Sequence, residues 1–203
     1  MAFFRNVNQG QRGHPFTADL LAAFTDAGFP DAVPFQSNGT VIFHSGAPAG
    51  TPAPAGVPAR ARAPARASDS ARASDRADPD LDGILEDVRA ALTARCGVDR
   101  EVFGMPLRQV VELVDVHATA PDAARRELTL HRGGIVDLDD PVAVEEAARR
   151  RCRLVATGAG WTIAINERDR ESNATPVLGH LTGGPATSRG LPTLIRLVER
   201  FAT

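Results

Sequence analysis

The sequence predicts an α+β protein built from two units in which strands and helices follow one another in the order βαββαβ, the second unit being a degraded copy of the first. Three observations support this fold class. Short apolar runs alternate with helical periodicities in both halves of the chain. The dipeptide Asn38-Gly39, a strong hairpin signal, joins two of these runs. At 203 residues, the chain is long enough for two small domains.

The first predicted unit spans residues 1–104. Its elements are a strand over 2–5, a helix over 17–27, strands over 32–36 and 40–44, a helix over 81–96 and a strand over 100–103. Gly28 and Gly97 stand just after the two helices, where a left-handed residue ends a helix. This order is that of the ferredoxin-like split βαβ unit.

The second predicted unit spans residues 105–203. Its elements are a helix over 106–114, a strand over 127–131, a helix over 141–151, strands over 152–156 and 161–165, and helices over 175–181 and 192–201. The theme of the first unit recurs, as expected of an internal duplication. A final strand is missing from the pattern, which predicts a degraded or rearranged copy.

An Ala-Pro-Arg-Ser-Asp mixture over residues 46–79 interrupts the first unit, with Val57 as its only large aliphatic residue. Such a segment buries too little apolar area to offset about 1 to 2 kcal/mol of ordering entropy per residue. We therefore expect a disordered insertion. The alternative is that its arginines contact nucleic acid or an acidic partner, although Asp69, Asp75 and Asp78 dilute the positive charge.

Composition limits the chemistry. The net charge is -2, so any attraction for polyanions needs a local patch. All 23 basic residues are arginine, which excludes Schiff-base lysines and the Walker A lysine.

Cys96 and Cys152 lack disulfide or zinc spacing, and we interpret both as small buried residues. The acidic run at 137–146 lacks calcium-loop spacing, so we expect no metal. We also expect a cytoplasmic protein with no cofactor and no membrane contact.

Two clusters of polar residues are candidate ligand sites. Asn8, Gly10, Arg12 and His14 lie in a predicted loop between a strand and a helix N-terminus, where backbone N–H groups favour an anion. Arg5 ends an apolar strand, so its guanidinium needs a carboxylate, a carbonyl or a ligand phosphate. The alternatives are a surface turn for the loop and a structural pairing for Arg5.

The second cluster precedes the last helix and contains Thr187, Arg189 and Thr193. Helix capping is the alternative interpretation of its hydroxyl groups. If the two ends of the chain meet, Arg5, Asn8, Thr187 and Arg189 line one polar cleft between the units, a common place for small ligands. The sequence then predicts a binding module for a small anionic or nucleotide-like ligand.

Three segments carry a resemblance to a known family. They are Phe4-Arg5-Asn6-Val7-Asn8-Gln9-Gly10, the hairpin Asn38-Gly39-Thr40-Val41-Ile42-Phe43, and Ala186-Thr187-Ser188-Arg189-Gly190-Leu191-Pro192-Thr193. Together they resemble family 1697 of the domains of unknown function, from end to end except for the insertion. The resemblance implies a pair of ferredoxin-like α+β units and favours the polar positions at both ends as a site. It implies no reaction.

Two other function classes stay open. One is a macromolecular interaction protein that uses an exposed face or the insertion; an RNA-binding version would place Phe3, Phe4, Phe35 and Phe43 on a sheet surface. The other is an enzyme, for which the sequence offers neither a nucleophile elbow nor a histidine tied to a particular Ser or Cys. The oligomeric state is open as well.

Overall fold

The structure, a computed structural model, describes residues 1–9, 11–44 and 80–202. Within these ranges it contains two four-stranded antiparallel sheets and six α-helices. The α+β class with two repeated units is therefore confirmed. The insertion predicted over 46–79 lies outside the described residues, as does Gly10.

The first unit has the predicted βαββαβ order. Its elements are β1 (Ala2–Phe4), α1 (Thr17–Asp26), β2 (Val33–Phe35), β3 (Thr40–Ile42), α2 (Leu81–Cys96) and β4 (Val102–Gly104). The strands lie in the order β2-β3-β1-β4. As predicted, a left-handed glycine, Gly97, ends α2. Gly39 turns the hairpin at φ 71°, and a Cβ there would lie 2.8 Å from the Cβ of Val7, so this turn requires glycine.

A helix, α3 (Leu107–His117), connects the units, and the second unit then repeats the order of the first. Its elements are β5 (Arg126–His131), α4 (Pro141–Arg149), β6 (Cys152–Gly158), β7 (Trp161–Asn166), α5 (Ala174–Thr182) and β8 (Ala186–Gly190), followed by the last helix α6 (Leu191–Phe201). The strand order β6-β7-β5-β8 matches the first sheet position by position.

The expectation that the second unit lacks its last strand is wrong. Residues 186–190 form β8, which pairs antiparallel with β5 from Ala186 opposite His131 to Gly190 opposite Glu127. The Ala-Thr-Ser-Arg-Gly sequence has neither an apolar alternation nor a run of β-branched residues, and Pro185 and Pro192 bracket it. Pairing with β5, rather than local propensity, makes this segment a strand.

The two units share their largest apolar core. One face of the first sheet contributes Phe3 and Phe103, and the second sheet contributes Leu128 and Ile163. Apolar side chains of α3 and α6 complete this cluster, and the two helices pack against each other. The opposite face of the first sheet packs on α1 and α2 around residues such as Phe24. Neither unit therefore completes the shared core without the other.

This shared core makes the described units a single cooperative structure. Leu194 of α6 is 0% exposed within it, so Leu194→Ala should lower the free energy of unfolding by about 2 to 5 kcal/mol. In urea denaturation, fluorescence and circular dichroism should shift together in one transition. Val116→Ala, at a position that is 70% exposed, is the control and should change stability by less than about 0.5 kcal/mol. Two separate transitions, with only one of them shifted, would refute the shared core.

Candidate functional site

Two arginines join the units in equivalent ways. Arg5 follows β1, and its Nε donates a hydrogen bond to the carbonyl of Ala186, the first residue of β8, at 3.1 Å. Arg132 follows β5, and its Nη2 donates to the carbonyl of Val102, the first residue of β4, at 2.9 Å. Each unit thus holds the last strand of the other. This reciprocal contact creates two equivalent junctions.

A third arginine, Arg189 in β8, occupies the centre of one junction. All five N–H groups of its guanidinium donate to neutral oxygens, which matches the full donor count of arginine. The acceptors are Thr40 Oγ1 at 3.0 Å from Nε, Thr187 Oγ1 and the Ser188 carbonyl at 3.1 and 2.8 Å from Nη1, and the carbonyls of Phe4 and Asn38 at 3.0 and 2.6 Å from Nη2.

Among the described residues, the positive charge of Arg189 has no anionic partner. None of the ion pairs among the described residues includes it, and its guanidinium lies 5.7 Å from the ring centre of Phe3. Burial lowers the pKa of Arg189 to about 10, because desolvation disfavours the charged form. At neutral pH the group is still protonated. The junction therefore contains a desolvated cation that neutral oxygens hold in place.

A cleft of about 570 Å³ opens beside this arginine. Both units line it, and most of the lining is polar. The polar lining residues are Asn6, Asn8, Asn38, Glu127, Arg170, Glu171, Ser172, Thr175, Thr187, Ser188, Arg189 and Thr193. The volume is that of a site for a small molecule.

The two chemical sides of this cleft, which we call the cationic wall and the acidic wall, follow from the alternation of side chains along β8. Thr187 and Arg189 pair with Leu130 and Leu128, which belong to the shared core, so they face the first unit. Ser188 faces the other way, and its hydroxyl lies 2.7 Å from that of Thr129. The cationic wall contains Arg189, Asn8, Asn38 and Thr193, and the acidic wall contains Glu127, Glu171, Ser172 and Thr175, with the exposed Arg170 preceding Glu171.

Glu127 is the most buried charged residue of the acidic wall, at 2% exposure. Three groups donate to its carboxylate. Asn166 Nδ2 and the backbone N–H of Ala174 lie 3.1 and 2.8 Å from Oε1, and the Ser172 hydroxyl lies 2.7 Å from Oε2. Ala174 is the first residue of α5, so the positive end of a helix dipole stabilises this carboxylate.

The first turn of α6 belongs to the cationic wall. Gly190 precedes this helix and supplies no side-chain cap, and Pro192 occupies the first turn. Thr193, in the same turn, lines the cleft. The unpaired N–H groups of a helix start and a hydroxyl therefore lie beside a part-buried guanidinium, an arrangement that favours an anion.

The structure brings together some of the residues that the sequence singled out. Asn8, Thr187, Arg189 and Thr193 line the cleft, and Arg5 lies at the same junction through its bond to Ala186. The acceptor that Arg5 requires is thus a backbone carbonyl. In contrast to the capping interpretation, Thr187 and Arg189 belong to a strand.

The predicted anion loop contributes less than expected. Gly10 lies outside the described residues, and Arg12 is exposed and is not among the residues that line the cleft. The Nδ1 atom of His14 accepts a hydrogen bond from the backbone N–H of Asn8 at 3.1 Å, so His14 supports the loop from within. Of the loop candidates that the structure describes, Asn8 alone reaches the cleft.

The equivalent junction forms a smaller cleft of about 330 Å³, lined by Arg132, Phe103, Asp82 and other residues. Asp82 is the second residue of α2, as Thr175 is the second residue of α5. Met105 lies three residues after Val102, as Arg189 lies three residues after Ala186, and the guanidinium of Arg132 lies 5.1 Å from the ring centre of Phe103. The smaller cleft therefore has an apolar side chain where the larger one has Arg189.

Sequence reasoning missed Glu127, Asn38 and Arg132. The sequence did contain a signal for Glu127. Polar residues alternate with apolar ones along this strand, which marks a polar face made of Glu127, Thr129 and His131. All three polar residues are in fact buried. Arg132 had a signal in the repeat of an arginine directly after the first strand of each unit.

Three further observations concern the cysteines, metal binding and membrane-spanning helices among the described residues. Both cysteines are free, and burial raises the pKa of the Cys152 thiol to about 12, which opposes thiolate formation. No group of three His, Cys, Asp or Glu side chains within the described ranges is placed to hold a metal ion. Nor does any described helix have the length and apolar character to cross a bilayer.

No family model matches the chain, and neither does any curated protein or solved structure. The resemblance to family 1697 therefore stays a prediction from the sequence.

Arg189 should stabilise the junction strongly. Arg189→Met keeps an apolar stem over Phe3 but leaves five oxygen acceptors without this donor, so the free energy of unfolding should fall by about 3 kcal/mol or more. Urea denaturation measures this loss. Arg168→Met, at an exposed position, is the matched control and should change stability by less than about 0.5 kcal/mol. A loss below about 1 kcal/mol for Arg189→Met would show that the hydrogen bonds of this group do not secure the junction.

Proposed function

We propose that the protein is a binding module for a small anionic ligand, held in the cleft between the two units. The observation that carries this proposal is the part-buried guanidinium of Arg189, whose hydrogen bonds go only to neutral oxygens and which lines an open cleft. An anion in that cleft supplies the charge that the cation lacks.

The charge of Arg189 attracts an anion in the cleft. For an anion about 6 Å from the guanidinium and an effective dielectric constant of about 20, the Coulomb attraction is about 3 kcal/mol. Because all five N–H groups of Arg189 already have acceptors, Arg189 acts on the ligand through its field. Direct hydrogen bonds come from other groups of the cationic wall.

Three groups of the cationic wall can supply those hydrogen bonds. Asn8 is exposed in the cleft, so its amide can turn its NH₂ group toward an anion. Asn38 accepts a bond from Thr40 N through Oδ1, which leaves its NH₂ group as a donor. Thr193 offers a hydroxyl at the start of α6. A phosphate, with several acceptor oxygens, suits such a set of donors.

The alternative of nucleic-acid binding through sheet aromatics has less support. Phe3, Phe4, Phe35 and Phe43 are all buried in apolar clusters and have no free face for stacking on bases. The other version of that alternative rests on the insertion, which lies outside the described residues.

Membership of family 1697 and a cytoplasmic location are part of the same proposal. The first rests on the three sequence segments that resemble the family, and the structure places Arg5, Asn38 and Arg189 from those segments at one junction. The second is supported by the free thiols of Cys96 and Cys152.

Inorganic phosphate is the simplest probe of this site. In titrations followed by amide NMR shifts, phosphate should perturb Thr193 and Asn8 with one common Kd. Asn8→Asp, a substitution of nearly equal size, places a negative charge in the cleft and should weaken phosphate binding at least about tenfold, a loss of about 1.4 kcal/mol.

Gln109→Glu is the matched control, because it adds the same charge to the smaller cleft. It should leave the Kd within about twofold of the wild type. Equal weakening by both substitutions would indicate a general effect of net charge, and the absence of saturable shifts at Thr193 would refute the anion site.

A further inference from the structure

The larger cleft has opposite charges on its two walls. Its charged lining residues are Arg189 on the cationic wall, Glu127 and Glu171 on the acidic wall, and Arg170, an exposed residue that precedes Glu171 and belongs to none of the described ion pairs. Glu127 lies in β5 opposite Gly190, one residue from Arg189, and the alternation of side chains sends the two charged groups to opposite faces of the sheet. The edge of β8 therefore separates the two charges, and no described ion pair joins them.

Glu127 is a buried carboxylate without a positively charged hydrogen-bond partner among the described residues. Its partners are an amide, a hydroxyl and a backbone N–H, none of which carries a formal positive charge. Burying a carboxylate without a cation costs several kcal/mol, which hydrogen bonds and a helix dipole offset only in part. Ser172 is the one donor to Oε2 among the described residues, so that oxygen retains capacity for a further hydrogen bond.

The equivalent cleft lacks this combination. In the smaller cleft, the apolar Met105 takes the position of Arg189, and the carboxylate of Asp82 is exposed and lies 3.6 Å from the guanidinium of Arg132. The duplicated scaffold alone therefore does not require a desolvated cation and a buried carboxylate at opposite walls. That pair is specific to the larger cleft.

We infer that the ligand of the larger cleft is a small zwitterion, with an anionic group at the cationic wall and a primary amine at the acidic wall beside Glu127. This inference rests on the proposed function, because it assigns the anionic end to Arg189 and Thr193. It adds the amine, for which Glu127 and Glu171 supply the compensating charge. Small aminoalkyl phosphates and amino-acid-like molecules have this chemistry.

A series of synthetic phosphates tests the inference in the full-length wild-type protein. ω-Aminoalkyl phosphates with two to six methylene groups are compared by calorimetry with alkyl phosphates of equal length. At one spacer length, the amine should tighten binding at least about tenfold, because it pairs with a desolvated carboxylate. This comparison needs no substitution, so it stands even if a variant fails to fold.

Two substitutions then locate the amine. Glu127→Gln removes the charge while keeping the shape, and it should bring the amino and alkyl phosphates to within about twofold of each other while the alkyl phosphate still binds. Glu171→Gln, on the same wall but less buried, is the matched control and should keep most of the preference for the amine.

The possible failures are distinguishable. If alkyl phosphates bind and the amine brings no gain at any length, the zwitterion inference is wrong while the anion site stands. If neither series binds, the proposed function and the inference fall together. If Glu171→Gln abolishes the preference and Glu127→Gln leaves it intact, the assignment of the amine to Glu127 is overturned.

Discussion

The guanidinium of Arg189 is the constraint around which the larger junction is organised. It projects from an edge strand of the second sheet and takes three of its five acceptors, Thr40 Oγ1 and the carbonyls of Phe4 and Asn38, from the first unit. These oxygens satisfy its hydrogen bonds but not its charge. A desolvated cation of this kind costs free energy in the empty protein, and an anion in the adjoining cleft offsets part of that cost. The same guanidinium therefore organises the junction and underlies the proposed anion site.

Duplication of a βαββαβ unit explains why there are two clefts, and divergence explains why they differ. Each unit contributes the arginine after its first strand to the last strand of the other, so both junctions share a framework. Three residues after the carbonyl that accepts the bond from this arginine, one junction has Arg189 and the other has Met105. The larger cleft therefore has a guanidinium where the smaller one has an apolar side chain, and in the smaller cleft the guanidinium of Arg132 lies over the ring of Phe103.

The sequence predicted most of the fold because most elements have a strong local signal. Asn38-Gly39 marks the first hairpin, and Gly97 ends its helix as expected. The prediction from the sequence failed at β8, where Ala-Thr-Ser-Arg-Gly becomes a strand only through pairing with β5. The candidate site was predictable at its two ends, since Asn8 and Arg189 were singled out and line one cleft. The alternation along its strand marks Glu127 as part of a polar face, but its burial depends on the packing of α5, which spacing along the chain does not reveal.

The account depends on Arg189 being a desolvated cation that an anion can compensate. A titration of the Arg189 Cζ resonance by ¹³C NMR between pH 8 and pH 11, with and without saturating phosphate, tests this directly. The pKa should be about 10 in the absence of phosphate and should rise when phosphate binds, since an anion stabilises the charged form. A resonance that stays at its fully protonated position up to pH 11 in both conditions would contradict the account.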